Sequence, residues 1–157
     1  MSANNPCQII RLGTVEYQRA WDFQVNLAAK VHDGAQPDTL LLLEHPPVYT
    51  KGRLSMPEDI LLSDVELRQK GIGVHEVDRG GQVTFHGPGQ LVAYPVVDLR
   101  EWGGPVKYVR TLERIIIDSL ADFNITAETI DGITGVWVNL SLIHISEPTR
   151  PRLRSYA

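Results

Sequence analysis

The run Asp78-Arg79-Gly80-Gly81-Gln82-Val83-Thr84-Phe85-His86-Gly87-Pro88-Gly89-Gln90 places four glycines and a proline around one short alternating segment. Glycine costs about 0.5–1 kcal/mol in a strand relative to alanine, so this density has a geometric purpose. Positive φ angles are one such purpose. Access is another, because a backbone without Cβ atoms can lie against a ligand. Val83 to His86 and Leu91 to Leu99 read as strands, joined by Gly87-Pro88-Gly89 as a hairpin-like turn. If Val83 and Phe85 point to the core, Gln82 and Thr84 share the other face. Arg79 and His86 flank the paired glycines and the turn. Glycine content alone leaves two readings open: a plain hairpin with a surface arginine and a hydrogen-bonded histidine, or a backbone-lined groove with a few polar heads. A phosphate-binding loop is excluded, since that needs Gly-Lys-Ser/Thr opening a helix, and here the glycines open strands.

The rest of the chain supplies alternating strands and helices. Gln8 to Leu12 reads as a strand, followed by a helix with Thr14 as N-cap. Tyr17, Ala20, Trp21, Leu27, Ala28 and Val31 form its apolar stripe, and Gly34 its stop. Thr39 to Glu44 is a strand whose apolar centre predicts burial on both faces. His45-Pro46-Pro47 interrupts it before Val48-Tyr49-Thr50. Ser63 and Glu66 form a capping box that starts a helix ended by Gly71, and Val74 to Val77 is a strand. Pro105 opens a long helix with Val109, Leu112, Ile116 and Leu120 as its buried stripe, extended by Phe123, and Asn124 as its left-handed stop. Ile125 to Glu128 and Gly135 to Val138 read as strands. The expected class is α+β, with a mixed or antiparallel sheet and packed helices.

A length of 157 residues with 43% hydrophobic and 22% charged residues suits one globular domain. The net charge of -4 argues against a duplex nucleic acid partner. No stretch approaches the roughly 18 apolar residues of a membrane span, and Met1 to Pro6 is not a secretory signal. The one cysteine, Cys7, excludes an internal disulfide and fits a reducing, cytoplasmic setting. No His/Cys/Asp/Glu cluster has metal-site spacing. Cys7 reads as an unactivated thiol, Lys51 as a solvated lysine, His45 as a strand-end hydrogen-bond anchor, and His86 as an orienting hydrogen-bonding group. Trp21, Trp102 and Trp137 read as core or rim residues.

As a whole, Arg79 to Gln90 resembles the signature of the octanoyl-acyl carrier protein:protein octanoyltransferases. Leu43 to Gly52, Tyr94-Pro95 through Asp98-Leu99, and Gly135-Val136-Trp137-Val138 resemble further segments of that family, so the likeness spans Ile9 to Asn139. It implies the fold of the biotin and lipoate protein ligase catalytic domains. It also implies transfer of an octanoyl group from acyl carrier protein to a lysine of lipoyl domains, those of 2-oxoacid dehydrogenases and of the glycine cleavage H protein, with no cofactor. By the same resemblance Arg79, Gly80, Gly81, Gln82, Val83, Thr84, Phe85 and His86 line the acyl-binding pocket, with Arg79 or backbone donors meeting the polar thioester end. The family uses a cysteine nucleophile and a lysine that favours its thiolate. The lysine follows the Gly-Val-Trp-Val block by a few residues, where this chain has Leu140, Ser141, Leu142 and Ile143, and neither catalytic residue is matched here.

Residues 1–139 are therefore expected to be the N-terminal part of one catalytic domain. Residues 140–157 are expected to be a foreign tail, because Ile145 to Pro151, ISEPTRP, resembles translated sequencing-adapter DNA. Two other functions fit parts of the pattern. An ATP-dependent lipoate or biotin ligase would share the fold, although lipoate ligases carry an arginine-rich start with a third glycine, and an aspartate after the histidine, where this chain has Gly87-Pro88-Gly89-Gln90. A non-catalytic acyl-binding module would account for the unmatched lysine and cysteine.

Overall fold

The computed structural model describes residues 6–139 and 141–144. Leu140 and residues 145–157, most of the stretch expected to be foreign, lie outside the described residues. Contacts divide the described chain into two units, the first ending at Asp98 and the second beginning at Leu99.

The first unit opens with β1 (Gln8–Thr14), α1 (Tyr17–His32), β2 (Thr39–Glu44) and β3 (Val48–Lys51). A 3-10 turn over Pro57–Asp59 and α2 (Asp64–Gln69) lead to β4 (Gly73–Glu76), β5 (Val83–His86) and β6 (Val92–Val96). These strands form two three-stranded sheets, in the orders β1-β2-β6 and β4-β3-β5. Each is mixed: β2 runs parallel to β1 and antiparallel to β6, and β3 runs parallel to β4 and antiparallel to β5. On the first sheet lies α1, whose Ala20, Leu27 and Val31 share a buried cluster with Leu41, Leu43 and Val92. Along β2, Thr39, Leu41 and Leu43 are buried, while Leu40 and Leu42 on the other face are only partly covered. The strand is therefore not buried equally on both faces. Pro95, which has no N–H to donate, sits on β6 at a sheet edge, where the missing donor is tolerated.

Several expected boundaries move. Thr14 does not cap α1. Gly13 at φ 65° bulges β1, and Thr14 stays paired with Glu44, because β2 offers ladder partners along its whole length. The helix begins after Glu16 without a side-chain cap. The Ser63–Glu66 capping box is present in full, and Gly34 and Gly71 take left-handed φ angles at the helix stops. The larger correction concerns β5 and β6, which are not a hairpin: β5 pairs with β3 and β6 with β2, so Gly87-Pro88-Gly89 crosses between sheets. The strand after that crossover spans only Val92–Val96, matching the partners available on β2.

The second unit contains α3 (Pro105–Ala121), β7 (Val136–Val138) and β8 (Ser141–His144). Pro105 is the first helical residue, and Asn124 takes φ 59° after the helix. The stripe of Val109, Leu112, Ile116 and Leu120 is half-buried, but Phe123 is 75% exposed and does not extend it. Its position beyond the C-cap, in the turn that reverses the chain, carries it off the helix face. Ile125 to Glu128 is not a strand. Only Glu128 bridges to Trp137. Asn139 takes φ 50°, and Ser141–His144 pairs antiparallel with β7. Glu113 is the buried residue of α3. Its carboxylate accepts hydrogen bonds from the Gly135 N–H (2.8 Å) and Arg110 Nη1 (2.8 Å), satisfying a charge that would otherwise be costly to bury.

Candidate functional site

The chain leaves the first sheet of the first unit through His45-Pro46-Pro47 and returns to it through Gly87-Pro88-Gly89. These two crossovers run side by side. The Gly89 N–H donates to Glu44 Oε2 (2.8 Å), and the His45 and His86 rings meet edge to face at 5.7 Å.

His45 is fully buried. Its Nδ1 lies 2.6 Å from the Val15 carbonyl, which only accepts, so Nδ1 carries the hydrogen. In the neutral ring, Nε2 then accepts from the Tyr94 hydroxyl at 2.9 Å. Burial pushes the Tyr94 hydroxyl pKa well above its usual range, so it remains a donor. Tyr17 packs against both His45 (5.3 Å) and His75 (5.1 Å), and burial raises its pKa too. The expected anchoring role of His45 is met: standing just past the end of β2, it ties the residue after β1 to Tyr94 of β6.

The paired glycines form a loop folded onto β3. Gly52 N–H donates to the Gln82 carbonyl, Arg53 N–H to that of Arg79, and Leu54 N–H to that of Gly81, at 2.9–3.1 Å. A Cβ on Gly52 would stand 2.5 Å from both the Gly80 and Gly81 carbonyl oxygens, so this contact requires glycine. Gly81 takes φ 71°, as the density of glycines predicted. Arg79 turns inward. Its Nη1 donates to the Gly80 carbonyl, and its Nη2 to Thr50 O, Thr50 Oγ1 and Gln82 O, at 2.8–3.0 Å. The guanidinium thus organises the glycine loop that it flanks in the sequence.

Along β5, Val83, Thr84 and His86 are half-buried, whereas Phe85 is 45% exposed and not in the core. Its ring packs on Tyr49 at 5.1 Å and leans over Gly87, where a Cβ would meet it at 2.9 Å. Gln82 is exposed. His86 Nδ1 stands 2.8 Å from Gln90 Oε1. Burial holds the His86 pKa below its ordinary value of 6.5. The Gln90 hydrogen bond opposes that shift, and the nearby His45 and Arg79 reinforce it. Lys51 pairs with the exposed Glu76 at 3.2 Å, a contact of small energetic weight.

A cleft of about 240 Å³ adjoins this region, lined by Tyr17, Gln18, Trp21, His75, Glu76, Val77 and Asp78. Sequence reasoning placed Tyr17 and Trp21 on the core stripe of α1 and passed over His75. Two aromatic residues four apart at the start of an amphipathic helix were the available signal. A larger cleft of about 460 Å³ runs along α3 and holds none of the predicted site residues. Cys7 is exposed, and partial burial and the Asp38 carboxylate raise its thiol pKa, outweighing the opposing effect of a Leu40 backbone hydrogen bond. Among the described residues, no three His, Cys, Asp or Glu side chains stand together as metal ligands.

An octanoyltransferase of Chloroflexus aggregans is 48% identical over 131 residues, covering 83% of this chain and 59% of the relative. An octanoyltransferase of Solibacter usitatus is 49% identical over 133 residues, covering 84% and 60%. The chain thus spans about three-fifths of the length of these relatives. In fold it is similar to a bipartite archaeal lipoate protein ligase of Thermoplasma acidophilum, with a TM-score of 0.63 and 16% identity, covering 87% of this chain and 52% of that one. The family described as Lipoyl protein ligase A/B catalytic domain matches residues 16–147, reaching into the stretch expected to be foreign. The chain belongs to the lipoyl protein ligase A/B catalytic domain family.

Proposed function

We propose that this chain is part of an octanoyltransferase that moves an octanoyl group from acyl carrier protein to a lysine of lipoyl domains, the first step of protein lipoylation. The acceptors are the lipoyl domains of 2-oxoacid dehydrogenases and the glycine cleavage H protein. The observation behind this reading is a contrast between its relatives: proteins 48–49% identical to the chain over the aligned 131–133 residues carry the transferase name, whereas a lipoate ligase shares its fold at 16% identity. In the reaction the thioester C–S bond breaks, the thiol leaves with a proton, and an amide forms on the acceptor lysine. The segment Arg79 to His86 lines the acyl pocket. Gly80 and Gly81 offer it backbone without side chains, Arg79 shapes the loop from within, and His86 closes the end beside His45. The cysteine nucleophile and its activating lysine are matched by no residue of this chain. The enzyme works in the cytoplasm. Among the described residues, no helix is long and apolar enough to cross a membrane.

The test uses the full-length protein with octanoyl-acyl carrier protein and an apo lipoyl domain, without ATP, read by intact mass of the acceptor. Octanoylation of one lysine is expected. Absolute dependence on ATP would reassign the protein as a ligase, and octanoyl binding without transfer in either condition would make it a binding module.

A further inference from the structure

Gln90 lies outside the segment assigned to the acyl pocket, yet among the described residues it makes the one hydrogen bond to the His86 ring. Its backbone N–H closes the crossover turn on the Gly87 carbonyl at 3.1 Å, and Glu44 holds the neighbouring Gly89 N–H, so the Gln90 side chain starts from a tethered backbone. The Gln90 Oε1 facing the ring only accepts, so His86 Nδ1 carries the hydrogen and the neutral ring keeps its lone pair on Nε2. Among the described residues Nε2 has no hydrogen-bond partner, and the His86 side chain is only half-buried. Burial opposes a second proton on the ring, and so do His45, edge-on at 5.7 Å, and the nearby Arg79 guanidinium, while the Gln90 hydrogen bond partly offsets them. Glu44, the acidic group of this turn, is engaged by the Gly89 N–H.

We propose that Gln90 is a positioning residue that holds the His86 imidazole with its hydrogen on Nδ1, leaving Nε2 as an uncharged acceptor for an amide N–H of a pantetheine-type thioester. This role rests on the acyl-transfer reading for its substrate but not for the state of the ring. Gln90 is exposed, so its replacement leaves the core intact.

Long-range 1H–15N NMR on the full-length protein, with His86→Gln for assignment, reads the tautomer and titration directly. The Nδ1–H form is expected in the native protein. In Gln90→Glu, a carboxylate facing Nδ1–H favours the imidazolium, and the His86 midpoint is expected to rise by about 1 pH unit. The acid limb of kcat/KM for octanoyl-acyl carrier protein should move with it, while Gln90→Leu should blur the tautomer and raise KM more than it lowers kcat. Octanoyl-pantetheine added to the native protein should shift the Nε2 resonance of His86. An Nε2–H tautomer in the native protein, an acid limb that stays in place while the NMR midpoint moves, or an Nε2 resonance unmoved by saturating octanoyl-pantetheine would each overturn the proposal. The tautomer and the resonance shift need no turnover, so failure of octanoyl transfer alone would count against the functional reading and not against the role of Gln90.

Discussion

At the residue scale, the site depends on contacts that tolerate little change. A methyl group on Gly52 would collide with two backbone oxygens, which have no rotamer to move to. Gly52→Ala is therefore expected to cost about 1–3 kcal/mol by chemical denaturation and to displace the Arg79 loop. Gly81→Val places a β-branched side chain at φ 71°, where its strain and bulk should abolish octanoyl transfer by the full-length protein while circular dichroism stays native. Normal activity in that folded variant would remove Gly81 from the pocket. Tyr94→Phe strips the buried His45 Nε2 of its partner and should cost about 1–3 kcal/mol in the same denaturation assay. His86 adds a pH dependence. Its folded pKa lies below 6.5, so the unfolded chain takes up the proton more readily. Its contribution is present above that value and lost as the pH falls below it. A stability profile between pH 5 and 7 should flatten in His86→Gln.

The elements show which local signals survive in the assembled unit. Ser63 and Glu66 satisfy each other's backbone within four residues, and this capping box appears as read, because nothing distant competes for it. Ser63→Ala should lower stability by about 1 kcal/mol, measured by thermal or urea unfolding. Thr14 had an equally good local reading and lost it to the parallel ladder with β2. The central strand matters most: Leu41 is fully buried between β1 and β6 and packs in the α1 cluster. Leu41→Ala is expected to cost about 2–5 kcal/mol, far more than any cap.

At the scale of the whole molecule, the chemistry is set by what the chain contains as well as by where it folds. Its single thiol, on Cys7, is exposed with a raised pKa, so at neutral pH it stays protonated and poorly nucleophilic. The 157-residue chain incubated with octanoyl-acyl carrier protein should keep its intact mass. A stoichiometric octanoyl adduct abolished by Cys7→Ser would place the chemistry in this chain after all.

The amino-acid sequence by itself determined the elements and the family. Alternation, caps and the glycine-rich string are written in adjacent residues, and the α+β class, α1, β2, β5, α3 and the likeness to octanoyltransferases all follow from them. Tertiary structure alone decided pairing. Gly87-Pro88-Gly89 is as good a hairpin turn as it is a crossover, and only the competing ladders of β2 and β3 separate β5 from β6. That separation brings His45 beside His86, forty-one positions apart in sequence, and gives Gly52 its need to be glycine. Neither contact is encoded by neighbours along the chain, because strand partners are chosen by hydrogen bonding and burial across long loops, which no local pattern specifies.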